Sequence, residues 1–376
     1  MTVRTVGMEE ELLLVEPGTG QPLAVAETAL RDAADAAQAG ETEQAGETEL
    51  AFELQRQQLE TNTTVCRDLI ELAREVRRGR SLADRAAARA GARVAALGTS
   101  PAPVLPQLVR EGRYLRMARA FGLIAEDQLT CGCHVHVGIS SPDEGVAALD
   151  GIRPWLAVLL ALSANSPFWQ GHDTSYASFR YQAWGRWPSA GPTEPFGTAE
   201  AYRPTVRQMI GSGTLLDTGM LYFDARLSEH YPTLEIRIAD VCLHADDAVL
   251  VAALCRALVD TEARRWQAGT ELPPQSTQMQ RTEMLRLAAW RASRSGLDDV
   301  LLDPRTGQPE PAAAVAKALL DHVRDSLDEA GDAATVSDLL DAVLARGNGA
   351  AFQRGAYGGE GGMAQMIDRA AAATTR

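Results

Sequence analysis

Lysine is almost missing from this 376-residue chain: Lys317 is the single one, and arginine carries nearly all of the positive charge. No mechanism here can rest on a lysine in the strand-like segments. The nucleotide-binding string GxxxxGK[ST] is absent, and no GxGxxG follows a strand, so any use of ATP must come through metals and arginines. Cysteine is sparse and odd in number, five residues, which gives no disulfide framework and no zinc set; the thiols read as buried. The N-terminus lacks a basic, apolar leader pattern. The longest apolar run, Trp155 to Ala164, is too short to span a bilayer and suits a core helix. These features suggest a cytoplasmic protein. A net charge of −14 and a pI of about 5.0 disfavour nucleic acid and anionic membranes as partners.

What is present is an ordinary globular composition, 45% hydrophobic and 23% charged, in a chain long enough for a large core. Residues 3–16 read as a strand, 24–37 as a helix, 50–60 as a strand and 66–90 as a long helix. Leu69, Leu72 and Val76 recur on that helix at helical spacing. Its Arg74, Arg77, Arg78 and Arg80 read as a solvated face. The period-six stretch Ala39–Glu49 reads as a low-complexity loop with solvated glutamates. Strands follow at 92–98 and 129–139, and a buried helix at 146–164. Aromatics make up only 5% of the chain, yet Trp169, Tyr176, Phe179, Tyr181, Trp184 and Trp187 gather in a loop at 165–198. Long loops of that kind are often functional. A helix at 199–211, strands at 219–226 and 233–240, and a helical tail with a mobile Gly355–Gly362 loop complete the reading. No internal linker divides the chain, so 1–376 reads as a single α+β domain with an antiparallel sheet.

Three strands carry the chemistry. Side chains alternate faces along a strand, so Glu9 and Glu11 share a face, His134 and His136 share one, and Glu235 and Arg237 share one. The opposite faces carry Met8 and Leu12; Cys133, Val135 and Val137; and Leu234, Ile236 and Ile238. A fourth segment supplies the acidic pair Glu53 and Glu60. Buried carboxylates and imidazoles need partners, and this hard, oxygen-rich set suits Mg²⁺ or Mn²⁺ better than structural zinc. Arg237 is placed to stabilise charge on a transferring phosphoryl group; the competing assignment is an ion pair within the sheet. Glu10 faces the packing side and needs an arginine or backbone partner there.

The segments GMEEELLLV (7–15), FELQRQQLETNTTVC (52–66), GCHVHVGI (132–139), SANSPFWQGHDTSYASFRYQAWGRW (163–187) and TLEIRIAD (233–240) together resemble the type 2 glutamate–cysteine ligase family. These are the bacterial carboxylate–amine ligases. The strings G-x-H-x-H and E-x-R-x-x-D are also similar to those of glutamine synthetase. The resemblance implies a curved antiparallel β-sheet funnel with helices packed outside. It implies ATP- and Mg²⁺-dependent amide formation through an acyl phosphate, from an amino-acid carboxylate, glutamate's γ-carboxylate first, and an amine such as cysteine. It further implies Glu9, Glu11, Glu53, Glu60, His134 and Glu235 as metal ligands, with His134, His136 and Arg237 toward nucleotide and phosphate. Arg180 becomes a candidate for a substrate carboxylate, and Arg226 for a phosphate or a carboxylate. For both arginines the competing assignment is an ion pair with Asp173 or Asp224. Ser100 stands where the family tends to have His, which weakens any substrate role for that turn. Related folds are often homodimers, although no amphipathic stripe demands one here. A metal-dependent hydrolase and a non-catalytic binding protein on the same scaffold remain the alternatives.

Overall fold

A computed structural model describes residues 3–38, 49–270, 279–358 and 361–376. Its centre is a seven-stranded antiparallel sheet. The strands are β1 (Val6–Val15), β2 (Glu49–Phe52), β3 (Gln58–Asn62), β4 (Arg93–Ala95), β5 (Gly132–Gly138), β8 (Ala225–Leu227) and β9 (Thr233–Asp240). Two short strands, β6 (Phe168–Trp169) and β7 (His172–Asp173), form a separate ribbon between β5 and β8 in the chain. The sheet order is β2-β3-β1-β5-β9-β8, with β4 beside the end of β1.

β1 explains the architecture. Its first half alternates, with Glu9 and Glu11 on one face and Met8, Glu10 and Leu12 on the other. Its second half, Leu12–Val15, is apolar on both faces and buried on both. One part of the sheet is therefore sealed in the core, and the other keeps a polar face. Met8, Cys133, Val135, Val137, Leu234, Ile236 and Ile238 pack the outer face against helices Pro142–Ile152, Leu156–Ser163 and Ala245–Gln267. A second cluster packs Leu12, Leu14, Leu59 and Val94 with Ala83, Ala87, Met366, Ile367 and Ala370. The helical stretch Pro142–Ser163 passes a length-and-hydropathy test for a membrane span, but 89% of its apolar window is buried inside the fold. Over the inner face a third cluster, including Leu54, Met117, Trp187, Leu221 and Tyr222, forms a roof.

Several sequence expectations are corrected here. The single strand at 50–60 is two antiparallel strands, β2 and β3, with Ala51 opposite Glu60. The strand at 219–226 shortens to Ala225–Leu227, because Thr218–Met220 forms a 3₁₀ turn. The 165–198 loop holds the β6–β7 ribbon and a helix, Phe179–Trp184, whose N-cap is Ser178. Gly355 lies in a helix, Gly349–Tyr357, rather than in a loop. Most of the period-six stretch lies outside the described residues.

Arg80 is the sharpest correction. Far from solvated, it is fully buried. Its guanidinium grips Glu10 bidentately at 2.9 and 2.6 Å and donates to the carbonyls of Cys242, Leu243 and Thr374. Glu10 thus finds the arginine that its outward parity requires. Removing one partner of a buried pair leaves the other charge uncompensated, whereas an exposed pair contributes little. We therefore expect Arg80→Ala to lower unfolding free energy by about 3–5 kcal/mol. Arg77→Ala, which breaks the exposed pair with Asp246 and an exposed bond to the Ala73 carbonyl, should stay within about 1 kcal/mol. Urea titrations of the two variants check this, and equal midpoints would contradict it.

Candidate active site

Strand register builds the site. Glu11 lies opposite Glu60, Glu9 opposite His134, His136 opposite Glu235, and Glu235 opposite Arg226. Adjacent strands sit roughly 4.8 Å apart, so these inward side chains fall into two groups. Ligand atoms of Glu9, His136 and Glu235 lie within 4.8 Å of one another, and so do those of Glu11, Glu53 and Glu60. Glu53 joins because the chain reverses between β2 and β3. Along one straight strand, Glu53 and Glu60 would be about 23 Å apart on opposite faces.

His134 stands between the groups. Its Nδ1 is 3.1 Å from Glu9 Oε2, and its Nε2 is 3.9 Å from Glu11 Oε1. That Nε2 is buried without a hydrogen-bond partner. His136 Nε2 meets Glu9 Oε1 at 3.1 Å, and its Nδ1 meets Thr233 Oγ1 at 3.0 Å. Arg237 ion-pairs with Glu235 and lies 3.4 Å from His134 Nδ1, while its Nε lacks a partner. It sits at a β-bulge where two steps along β5 match three along β9; bulges re-aim side chains in this way. The backbone N–H of Gly132 donates to Glu11 at 2.6 Å. A Cβ on Gly132 would stand 2.2 Å from the Arg180 guanidinium, so only glycine fits there.

The electrostatics divide along the same line. Burial opposes ionisation of Glu9, yet hydrogen bonds from His134 and His136 outweigh it and hold the carboxyl far below its ordinary range. Glu235 is likewise held down to about 2, where Arg237 and Arg226 overcome burial. For Glu53 and Glu60 the balance reverses, and burial with like charge outweighs the favourable contacts. Burial and then the Glu11 charge push Glu53 up to about 8. Burial followed by Glu9, Glu53 and Glu11 raises Glu60 well above normal. Like carboxylates this close cannot all ionise without a cation. Three carboxylates in one group, with two carboxylates and an imidazole in the other, form a donor set for Mg²⁺ or Mn²⁺.

Two chambers open onto these groups. The outer, about 760 Å³, is lined by Glu9, His136, Glu235, Arg226, Arg203 and Tyr231. The inner, about 130 Å³, is lined by Glu11, Glu53, Glu60, His134, Arg237 and aromatic residues including Trp184 and Tyr222. Arg113 and Gly219 belong to both walls. Arg113 is held bidentately by Asp217 at 2.8 and 2.9 Å. Sequence reading missed it: it lies in a helix, Gly112–Phe121, whose segment carries no motif.

Two arginines expected to face substrate are otherwise engaged. Arg180 is buried and lines neither chamber; it donates to the carbonyls of Ile238 and Arg237 and approaches Asp240 at 3.8 Å. Arg226 spends Nε and Nη2 on Glu235 and Nη1 on the carbonyls of Thr218, Gly219 and Leu221. It clamps Glu235 rather than offering a free fork. Neither forms the ion pair considered above. Asp173 pairs with Arg354, and Asp224 accepts from the Tyr181 hydroxyl, its carboxyl pushed up to about 7 by burial. Asp240, the end of E-x-R-x-x-D, accepts from Asn165 N–H and from the Ser166 and Ser178 hydroxyls at 2.7–2.9 Å. It ties the aromatic segment to the sheet. The Ser100 turn closes on itself, with Oγ donating to the Ala102 carbonyl.

A protein named "Putative glutamate--cysteine ligase 2-1" from Streptomyces avermitilis is 51% identical over 352 residues, covering 94% of each chain. Among solved structures, a bifunctional glutathione synthetase from Pasteurella multocida superposes with a TM-score of 0.69 at 14% identity, over 99% of this chain and 52% of that one. A glutamate–cysteine ligase from Francisella tularensis, crystallised with AMP, gives 0.66 at 13% identity, over 100% of this chain and 89% of that one. At such low identity the two structures establish the fold alone, the antiparallel ligase sheet with helices outside. The profile of glutamate-cysteine ligase family 2 matches residues 5–364, and the chain belongs to that family.

Proposed function

We propose that the whole chain acts as one catalytic domain, an ATP-dependent ligase that joins an amino-acid carboxylate, glutamate's γ-carboxylate first, to an amine such as cysteine. The observation that carries this reading is the pair of ligand groups on one sheet face, separated by His134 and flanked by Arg237. Family membership and the names of the relatives support the ligase class, and neither alternative draws support from them. The outer chamber, with Glu9, His136 and Glu235, takes the nucleotide. The inner chamber takes the carboxylate substrate and is where the bond forms.

In this mechanism a substrate carboxylate oxygen attacks the γ-phosphorus of ATP and ADP departs with the bridging oxygen. The amine then attacks the acyl carbon, releasing orthophosphate and a proton. The side chains named above would hold divalent ions at the two ligand groups, which supply charge neutralisation for the phosphates when bound. Arg237, reaching from β9 between the chambers, stabilises negative charge developing on the transferred phosphoryl group. Arg226 positions Glu235, and Arg113 is the cation best placed to meet a substrate carboxylate, since it lines both chambers. Roofing by Trp187, Leu221 and Tyr222 excludes water that would otherwise consume an acyl phosphate. ATP and free amino acids are cytoplasmic, which is where we place the reaction.

Arg237→Ala should fold and lose about 10²-fold or more in turnover, as loss of a charge-stabilising donor does. ADP release with glutamate and a panel of amines measures this, and wild-type turnover in the variant would remove the role. Glu11→Ala should raise the Mg²⁺ requirement, seen as a right-shifted metal titration. A pH dependence follows from Glu53. In the metal-free protein it keeps its proton up to about pH 8, and a cation must displace that proton. Apparent Mg²⁺ affinity should therefore fall as pH drops below 8, by up to about tenfold per unit for each proton displaced. Titration calorimetry in buffers of different ionisation enthalpy would count the protons, more at about pH 6.5 than at about pH 9. An affinity that ignores pH across this range would exclude Glu53 as a ligand.

A further inference from the structure

A third cavity, about 430 Å³ and open to solvent, lies beyond the inner chamber. Trp184 is a wall of both. The outer chamber, the inner chamber and this cleft thus form a series, divided first by Arg113 with Gly219 and then by the Trp184 indole. Resting on the ligase reading above, we propose that the cleft is the acceptor entrance. It takes a primary monoamine with an aromatic or bulky apolar body, admitted past Trp184.

The order of events demands a second route. Nucleotide in the outer chamber covers the passage at Arg113 and Gly219, so an acceptor arriving after ATP cannot follow it. The far wall of the inner chamber is where a nucleophile could approach the activated carbonyl from the side away from the phosphates.

The chemistry of the walls selects the occupant. Trp184, Trp290, Tyr181, Leu287 and Pro192 line the cleft, and among the described residues its one charged wall residue is Arg286, with no carboxylate. A dication is repelled at Arg286 and gains nothing from the apolar surface, whereas an aromatic or branched apolar body buries area against the indoles. Leu287 is 57% exposed and Trp290 47% exposed, on one side of helix Thr282–Ser295, so the apolar surface is uncovered in the free protein. Past Trp184 the wall turns polar. Glu11, Glu53 and Glu60 face Arg113 and Arg237 there, so the amino group meets hydrogen-bonding side chains while its apolar body stays behind.

Trp184 is built to move. It ends helix Phe179–Trp184, with exposed Gly185 as C-cap. Its indole, half-buried at the edge of the inner-face cluster, meets Tyr222 at 4.7 Å, Trp187 at 6.5 Å and the Arg180 guanidinium 5.7 Å from its centroid. A rotamer change opens the partition without breaking a backbone hydrogen bond.

The test uses the full chain. All five native cysteines are buried, so Leu287→Cys gives one accessible thiol at the cleft mouth. Labelling it with N-phenylmaleimide should lower kcat/KM for 2-phenylethylamine by about tenfold or more relative to the same variant unlabelled, with KM for ATP unchanged. Trp184→Ala should release ADP without amine, because water then reaches the acyl phosphate. Independently of turnover, 2-phenylethylamine should shift the indole N–H resonances of Trp184 and Trp290 in the wild-type protein. Full labelling with no change in amine kinetics, or the absence of both indole shifts, overturns the entrance. No amine-dependent ADP release on any acceptor, with the shifts present, would instead count against the ligase reading and leave the cleft supported as an amine site.

Discussion

Carboxylates that repel one another, held on one side of a sheet away from water, are the constraint from which the rest of the molecule follows. Glu11, Glu53 and Glu60 share a space too small and too dry for three negative charges. Folding must either protonate them or supply positive charge, and this architecture does both. Imidazoles and arginines favour the ionised forms of Glu9 and Glu235, while burial and like charge favour the protonated forms of Glu53 and Glu60. Such an arrangement costs stability in the free protein and is offset by the two large apolar clusters behind the sheet. The interior is therefore strained where it is chemical and closely packed where it is not.

Packing and chemistry are joined through a few side chains that touch both. Asp240 lies at the end of the strand carrying Glu235 and Arg237, and its oxygens hold Asn165, Ser166 and Ser178. The aromatic segment that walls the inner chamber is thereby fixed to the strand that carries Arg237. Arg180, fitted against glycine at position 132, fills the same junction. A change at Asp240 would act on the reaction through placement of Trp184 and Trp187 rather than through contact with substrate.

The period-two arithmetic of strands made much of this legible in the sequence. Glu9 with Glu11, His134 with His136, and Glu235 with Arg237 share faces because alternation is a local property. Helix 199–211 and strand 233–240 fall where the pattern puts them. What escaped was whatever depends on tertiary meeting. The reversal between β2 and β3 looked like one strand because no glycine or proline marks it. Arg113 reaches the site from a helix with no signature. Arg80 carried a readable signal that composition hid. It follows Leu72 and Val76 at four-residue spacing and precedes Ala83 and Ala87, which places it on the buried stripe, but four nearby arginines invite a solvated reading. That Arg180 and Arg226 are already engaged could not be read either, since sequence cannot reveal which donors backbone carbonyls have occupied.

Three glutamates in a row on β1 mean that a slide of the strand by one position would still leave one carboxylate, Glu10, pointing inward. What distinguishes the native alignment is the outward residue. Arg80, rooted among carbonyls of two separate segments, pairs with Glu10, and the flanking Met8 and Leu12 fit only the apolar side. The arginine that touches no ligand thus acts as an indexing pin. It sets which of three chemically identical side chains face inward.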